Sequence, residues 1–203
     1  MSLSKKALLV IILILITDQI VKIIVKTHMN LGGSVPVFDS WFFIRFIENP
    51  GMAFGIDIPG KLGKPILSIF RIFAVGLIGW YLLTLVRKNA PTGFVLCIAM
   101  IFAGAIGNII DSMFYGLIFS ESTYFEAAKF LPKGGGYASF LHGHVVDMLY
   151  FPVIERNYPD WFPIWGGQRF VFFRPIFNIA DSAISIGVMA ILLFHRKYLK
   201  EIN

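Results

Sequence analysis

The chain has 203 residues, of which 57% are hydrophobic, 16% aromatic and only 15% charged, and its mean hydropathy is +0.74. A soluble domain carries about 25% charged residues, so this chain has more apolar surface than one water-soluble core of its size can hide. That composition excludes a disordered chain, a coiled coil and a disulfide scaffold, and it points to a single integral membrane domain over residues 1–203. The net charge of +6 fits basic residues gathered at the cytoplasmic ends of spans better than nucleic-acid binding. The one cysteine, Cys97, lies in an apolar run and permits no intrachain disulfide.

A bilayer-crossing helix needs about 20 mostly apolar residues, and windows at residues 7–25, 65–86, 94–114 and 175–194 qualify. The first follows Lys5 and Lys6 and resembles a secretory signal. It runs into Asp18-Gln19-Ile-Val-Lys22 rather than a small-residue cleavage pattern, which makes it an uncleaved span. Lys5, Lys6, Arg87, Lys88, Arg196, Lys197 and Lys200 crowd the short segments 1–6, 87–93 and 195–203. The long connections 26–64 and 115–174 are far poorer in Lys and Arg. The positive-inside rule then puts both termini in the cytoplasm and both long connections outside. Residues 37–58, with Trp41, Phe42, Phe43, Ile44, Phe46 and Ile47, predict a short sheet or interfacial hairpin broken at Asn49-Pro50-Gly51. The second connection carries Trp161, Phe162 and Trp165, side chains that favour the headgroup level. Gly134-Gly135-Gly136 marks a break within it, and residues 117–141, with Glu121, Glu126, Lys129 and Lys133, read as a mobile, solvated segment.

Ionisable groups inside a membrane are usually paired or functional. Asp18 and Lys22 lie four apart on one helical face and read as a self-neutralising pair, and Arg71 reads as a residue that snorkels to the headgroups. At 1.5 Å rise per residue, Asp111 lies roughly 25 Å along the third span and Asp181 roughly 9 Å into the fourth. The charges of three spans therefore gather in the outer leaflet. Asn108-Ile-Ile-Asp111-Ser112 and Asn178-Ile-Ala-Asp181-Ser182 each place an Asn three residues before an Asp, which reads as one helical face. His142-Gly-His144-Val-Val-Asp147 supplies a third carboxylate. Two carboxyl groups in a poorly hydrated site share a proton, so that one can deprotonate water while the other protonates a carbonyl. Spacing alone leaves open which two of Asp111, Asp147 and Asp181 form such a pair. The sequence has no Gly-x-Ser-x-Gly elbow, zinc-type His-Glu-x-x-His helix or phosphate-binding glycine loop. His142, His144 and Asp147 could imitate a metal site, though His-x-His is weakly specific.

Five blocks in order resemble the bacterial lipoprotein signal peptidase family, also called signal peptidase II. They are Asp18-Gln19-Ile-Val-Lys22, residues 48–55 (Glu-Asn-Pro-Gly-Met-Ala-Phe-Gly), residues 104–111 (Gly-Ala-Ile-Gly-Asn-Ile-Ile-Asp), Val145-Val146-Asp147, and residues 177–182 (Phe-Asn-Ile-Ala-Asp-Ser). The resemblance covers nearly the whole chain. It implies an aspartic endopeptidase, multi-pass in the bacterial inner membrane, acting at the outer leaflet as a monomer and without metal or other cofactor. Asp147 and Asp181 are the implied catalytic pair. Asn49, Gly51, Asn108 and Asn178 are the implied substrate-site residues, with Asp18, Lys22 and Asp111 supporting them. The implied fold is a four-helix membrane bundle with a small periplasmic β-cradle and an interfacial extracellular helix or loop. The implied substrate is a diacylglyceryl-modified prolipoprotein, cut just before its lipidated cysteine. Where the family has Arg after the third-span aspartate this chain has Ser112, and residues 117–141 look inserted. A small four-span transporter and a metal-dependent membrane hydrolase are the competing readings. A transporter would place its carboxylates nearer the midplane.

Overall fold

The computed structural model describes residues 1–38, 41–50, 63–152, 154–157, 159–172 and 175–200. Helix α1 runs Leu3–His28, started by the Ser2 side chain accepting from the Lys5 amide, and Met29 returns the chain to an extended conformation. The strands β1 (Ser34–Phe38) and β2 (Phe42–Asn49) follow, then helix α2 (Gly63–Arg87) and helix α3 (Thr92–Ile110). The α2–α3 turn is a Schellman stop: Asn89 N–H donates to Val86 O and Ala90 N–H to Leu85 O, at 3.2 and 3.0 Å. Asn89 takes the positive φ of 50° that this motif needs. A turn this short makes α2 and α3 antiparallel neighbours. Helix α3 passes into a π-helical turn, Asp111–Tyr115, and a short helix α4, Gly116–Ile118. Strands β3 (Val145–Tyr150), β4 (Ile154–Asn157), β5 (Arg169–Phe172) and β6 (Ile176–Phe177) precede helix α5 (Ile179–Phe194) and the short α6 (Arg196–Lys200).

Among the described residues three helices are long and apolar enough to cross a membrane, and Ile179–Phe194 is a shorter apolar helix. Helix α1 is longer than its apolar window because the Lys-bearing ends keep helical hydrogen bonding beyond the hydrocarbon. Helix α5 starts four residues later than its window, because Ile176 and Phe177 pair with β3 instead. The burial pattern is inverted relative to a soluble protein. Leu8, Ile12, Leu13, Ile16, Phe70, Phe73, Trp80 and Leu193 are exposed, while Asp18, Lys22, Lys26 and Asp111 are all 0% exposed. Only a hydrocarbon surround makes that pattern favourable. Helix α3 is the central helix, packing against α5, α1 and α2. Gly107 on α3 permits a close approach to both α1 and α5: a Cβ there would meet Asp18 Oδ2 at 2.9 Å and Ala180 Cβ at 3.1 Å.

The sheet has strand order β1-β2-β3-β6, all antiparallel, and β4 with β5 forms a separate hairpin. The short sheet or hairpin expected over residues 37–58 is found further towards the N-terminus: Ser34–Phe38 pairs with Phe42–Asn49, so the chain reverses before Phe42 and not at Asn49-Pro50-Gly51, while β2 ends at Asn49. Among the strands whose burial is described, β3 is the most covered, with Val145 through Met148 all buried, because α1 and the π-turn lie against it. Aromatic rings line one end of the sheet: Phe38 stacks on Trp41 at 5.4 Å and Phe42 on Phe151 at 4.5 Å. Phe38 and Trp41 remain more than half exposed, as do Trp161 and Ile164 in the second connection. Such surfaces suit the headgroup boundary.

One expectation about the fold changes. Residues 117–141 are a docked segment. Phe119, Ser122 and Ala128 are buried, and Tyr137 N–H and Ala138 N–H donate to Phe119 O and Gly116 O at 3.0 and 2.9 Å. The glycine run serves close approach as well as turning, since a Cβ on Gly136 would collide with the backbone of Gly116 and Leu117. Residues 51–62 of the first outer connection lie outside the described residues.

Candidate active site

The site forms where α1, α3, the π-turn, β3 and the start of α5 converge. Its floor is Lys22, whose Nζ lies 2.8 Å from Asp18 Oδ2, 2.8 Å from Asp111 Oδ2 and 3.0 Å from Asn108 Oδ1. The self-neutralising pair read from the sequence is thus a triad that includes Asp111. Asp18 also accepts from the Ala180 backbone N–H at 2.9 Å, so a carboxylate on α1 caps the first turn of α5 and complements its dipole. Asp111 Oδ2 accepts from Val146 N–H at 3.3 Å, and Asp111 Oδ1 accepts from Gln19 Nε2 at 2.9 Å. Gln19 in turn accepts from Tyr115 Oη at 3.2 Å. These bonds tie three helices to β3 through buried polar groups that are all satisfied, the arrangement in which a buried ion pair is stable.

Above this floor sit Asn108 and Asn178. Asn178 is not on the helical face that its three-residue spacing to Asp181 suggested. It is the N-cap of α5, in extended conformation with φ −119° and ψ −178°. It forms a capping box with Asp181: Asp181 N–H donates to Asn178 Oδ1 at 2.8 Å and Asn178 N–H donates to Asp181 Oδ2 at 3.3 Å. Asn with an acid three residues later ahead of an apolar run is a helix-start signature, so the cap was legible. Asn178 Nδ2 donates to Asp147 Oδ1 at 2.7 Å and to Asn108 Oδ1 at 3.0 Å. Asn108 Nδ2 donates to Asp181 Oδ1 at 2.8 Å. The two asparagines therefore aim Asp147 and Asp181 at one place. Asn49, at the end of β2 opposite Val145, also hydrogen-bonds Asp147. Gly51 lies outside the described residues.

Asp147 and Asp181 line a cavity of about 440 Å³ with Asn49, Asn108 and Arg71, walled by Val75, Ile78, Ala105, Ile109 and Ile184. Asp111 is not on it, because Lys22, Gln19 and Val146 hold its carboxylate beneath. Burial, and then the charge of Asp181, push the Asp147 carboxyl up to about 7, against the opposing pull of Lys22, Asn178 and Asn49. A carboxyl group poised there can hold a proton near neutral pH. Asp181 also faces a second, mostly apolar cavity of about 580 Å³ lined by Leu149, Phe151, Phe177 and Ile186.

Arg71, which the sequence reads as a residue that snorkels to the headgroups, instead lines the carboxylate cavity, in electrostatic contact with Asp181. Gln19 and Arg71 are the residues that sequence reasoning missed. A single cation in an otherwise apolar 22-residue window is the signal that could have raised Arg71. Ser112 turns its hydroxyl back to Asn108 O at 3.1 Å. The two histidines do not converge with Asp147. His144 Nδ1 lies 2.9 Å from Glu48 Oε2, and His142 Nδ1 lies 3.0 Å from Ser139 Oγ. Among the described residues no group of three His, Cys, Asp or Glu side chains is arranged to hold a metal ion.

Beside the site, Glu48 takes bonds from Lys26, from Ser122 Oγ at 2.7 Å and from His144. Lys26 also donates to Ser122 Oγ at 2.9 Å. Burial alone would raise the Glu48 carboxyl. The His144 bond and the Lys26 charge outweigh it and bring Glu48 down to about 2.

A helical membrane bundle with a small antiparallel sheet over a carboxylate-lined cavity is the fold of a bacterial membrane enzyme. Two solved structures of that description, determined by the in meso method at 2.3 and 1.9 Å resolution, align with TM-scores of 0.60 and 0.59 at 26% identity. The first covers 98% of this chain and 92% of its own. The family model for signal peptidase II matches residues 10–196, and the chain belongs to that family. The lipoprotein signal peptidase of Porphyromonas gingivalis strain W83 is 54% identical over 184 residues, covering 90% of this chain and 79% of that one. That of Amoebophilus asiaticus is 35% identical over 193 residues, covering 94% and 77%.

Proposed function

We propose that this signal peptidase II, which removes signal peptides from prolipoproteins, cuts with Asp147 and Asp181 as a pair of carboxyl groups sharing one proton. The observation that carries the reading is the joint aim of the two side chains: Asn178 and Asn108 hold Asp147 and Asp181 on one cavity. Asp147 carries the shared proton, in keeping with its raised titration. As water attacks the scissile carbonyl carbon, its proton passes to Asp181, and Asp147 gives its proton to the carbonyl oxygen. The resulting gem-diol collapses as one hydroxyl proton returns to Asp147. The C–N bond breaks, and the leaving amine takes the proton held by Asp181. Both carboxyl groups end as they began.

Asn49 and Asn108 present amide groups to the substrate backbone beside the pair. Gly51 belongs to the same substrate site by family resemblance. Asp18, Lys22 and Asp111 hold that platform together. The substrate is a prolipoprotein whose cysteine already carries diacylglycerol, cut just before that residue. The apolar cavity on the other side of Asp181 gives its acyl chains a path to the bilayer, and the lipid anchor supplies part of the proximity. The enzyme works as a monomer in the inner membrane, as a bundle of four spans with both termini cytoplasmic and the sheet and active site on the outer, periplasmic side. The Lys and Arg distribution supports that orientation. The deciding experiment is in vitro cleavage of a diacylglyceryl-modified prolipoprotein by the purified protein, beside its unmodified form. Cleavage of the modified form alone, lost in Asp147→Asn and Asp181→Asn, is the expected result. Equal cleavage of both forms would remove the lipid from recognition.

A further inference from the structure

On the carboxyl-pair reading, we propose that Arg71 is a positioning residue of the reaction, the counter-charge against which Asp147 and Asp181 hold their single proton. The inference starts from how charge is distributed around the pair. Helix α1 contributes Asp18 and Lys22, the π-turn Asp111, β3 Asp147, α5 Asp181 and α2 Arg71. Lys22 is committed to Asp18 and Asp111, at 2.8 Å from each, so its one positive charge is already set against two carboxylates. On the β2 side, Glu48 is paired with Lys26 and hydrogen-bonded to His144. The working pair thus adds further negative charge to a region whose nearer cation is spent.

Arg71 answers that excess from the opposite wall. It is half-buried, lines the same cavity as both carboxylates and interacts electrostatically with Asp181. It sits on α2, so it reaches the pair independently of the Lys22 platform. Its always-charged guanidinium makes a fixed counter-ion whose charge does not change across the working pH range. A like-charged pair beside a fixed cation loses its first proton more readily than the same pair alone. Removing the cation therefore moves the acidic limb of the activity profile, which belongs to the pair as a whole, towards higher pH.

The test is the pH dependence of cleavage of a diacylglyceryl-prolipoprotein by full-length Arg71→Gln and Arg71→Lys in detergent micelles, beside Asp147→Asn and Asp181→Asn. For Arg71→Gln we expect kcat to fall ~10-fold or more at neutral pH and the acidic limb to rise by about one pH unit, with KM changed by less than about 3-fold. Arg71→Lys should keep the profile in place and most of the rate. A wild-type profile and rate in Arg71→Gln overturn the proposal. So does a Lys variant as slow as the Gln variant with an unmoved profile, which would make the guanidinium's shape the operative property. If Arg71→Gln does not accumulate in the membrane, Arg71→Met provides the same neutral comparison. Dead Asp variants beside an unaffected Arg71→Gln refute only this inference, whereas full cleavage by either Asp variant refutes the pair itself.

Discussion

At the scale of single residues, the proposed mechanism separates groups that do chemistry from groups that hold them. Asn substitution at Asp147 or Asp181 preserves shape and hydrogen bonding but cannot carry a proton. Each variant should lose at least about a hundredfold in kcat while still inserting, as measured by cleavage and membrane fractionation. Asp111→Asn should be milder, because Lys22 keeps Asp18 and Asn108 as partners. Lys22→Ala leaves two buried carboxylates without their cation and should destabilise the fold by about 3–5 kcal/mol, read from thermal unfolding in micelles. With Asp147 near 7, cleavage should decline as pH rises through about 7, when the proton donor is lost. It should also decline at low pH, when both members are protonated, giving a bell whose two limbs report the pair. His142→Ala and His144→Ala should keep substantial activity, and a strong chelator should not inhibit. Chelator-sensitive cleavage lost in both His variants would replace the carboxyl pair with a metal site.

At the scale of elements, the segment 117–141 and strand β2 are joined to α1 by Lys26, Glu48, Ser122 and His144. The cation also lies over the Tyr137 ring at 4.9 Å. The cluster ends one residue before Asn49, so it sets the position of a residue that touches Asp147. Its pH dependence has a definite sign. The folded Glu48 carboxyl titrates near 2 against an ordinary value of 4.5. Its contribution to stability is therefore complete above about 4.5 and is lost as pH falls towards 2. Thermal unfolding of the wild type should drop over that window, and Glu48→Gln should flatten the drop. Ser122→Ala removes a hydroxyl bonded to both ions and should cost about 1–3 kcal/mol. Unchanged unfolding in Ser122→Ala would show that the segment is not anchored through this cluster.

At the scale of the whole molecule, the asymmetry of basic residues and the position of the sheet define one prediction. A cysteine placed at Gly134, which is exposed, should react with an impermeant thiol reagent from the outer side of the membrane. One placed at Lys88 should react only from the cytoplasmic side. The native Cys97 is buried and should stay silent. The reverse pattern would put the carboxylates in the wrong leaflet for a substrate tethered at the outer surface.

Periodicity and composition are local properties, so the sequence alone determined the membrane character, the apolar windows, strand content in the first connection and the roster of candidate carboxylates. Family resemblance singled out Asp147 and Asp181 from that roster, which spacing could not do. Only the tertiary structure decided how those groups are partnered. Lys22 has one partner on its own helix, Asp18, and two more across helices, Asp111 and Asn108, and nothing in a 3.6-residue repeat encodes those two. They depend on α3 approaching α1 and α5 closely at Gly107. Asn178 became a cap because β6 takes Ile176 and Phe177, a pairing set by β3. Residues 117–141 read as solvated because their charges are visible in sequence, whereas the packing of Phe119 and Ala128 and the bonds of Ser122 exist only once α1 and β2 stand beside them. Arg71 read as a snorkelling side chain for the same reason. A cation's hydropathy is the same whether it faces headgroups or a carboxylate, and the packing of α2 against α3 decides between them.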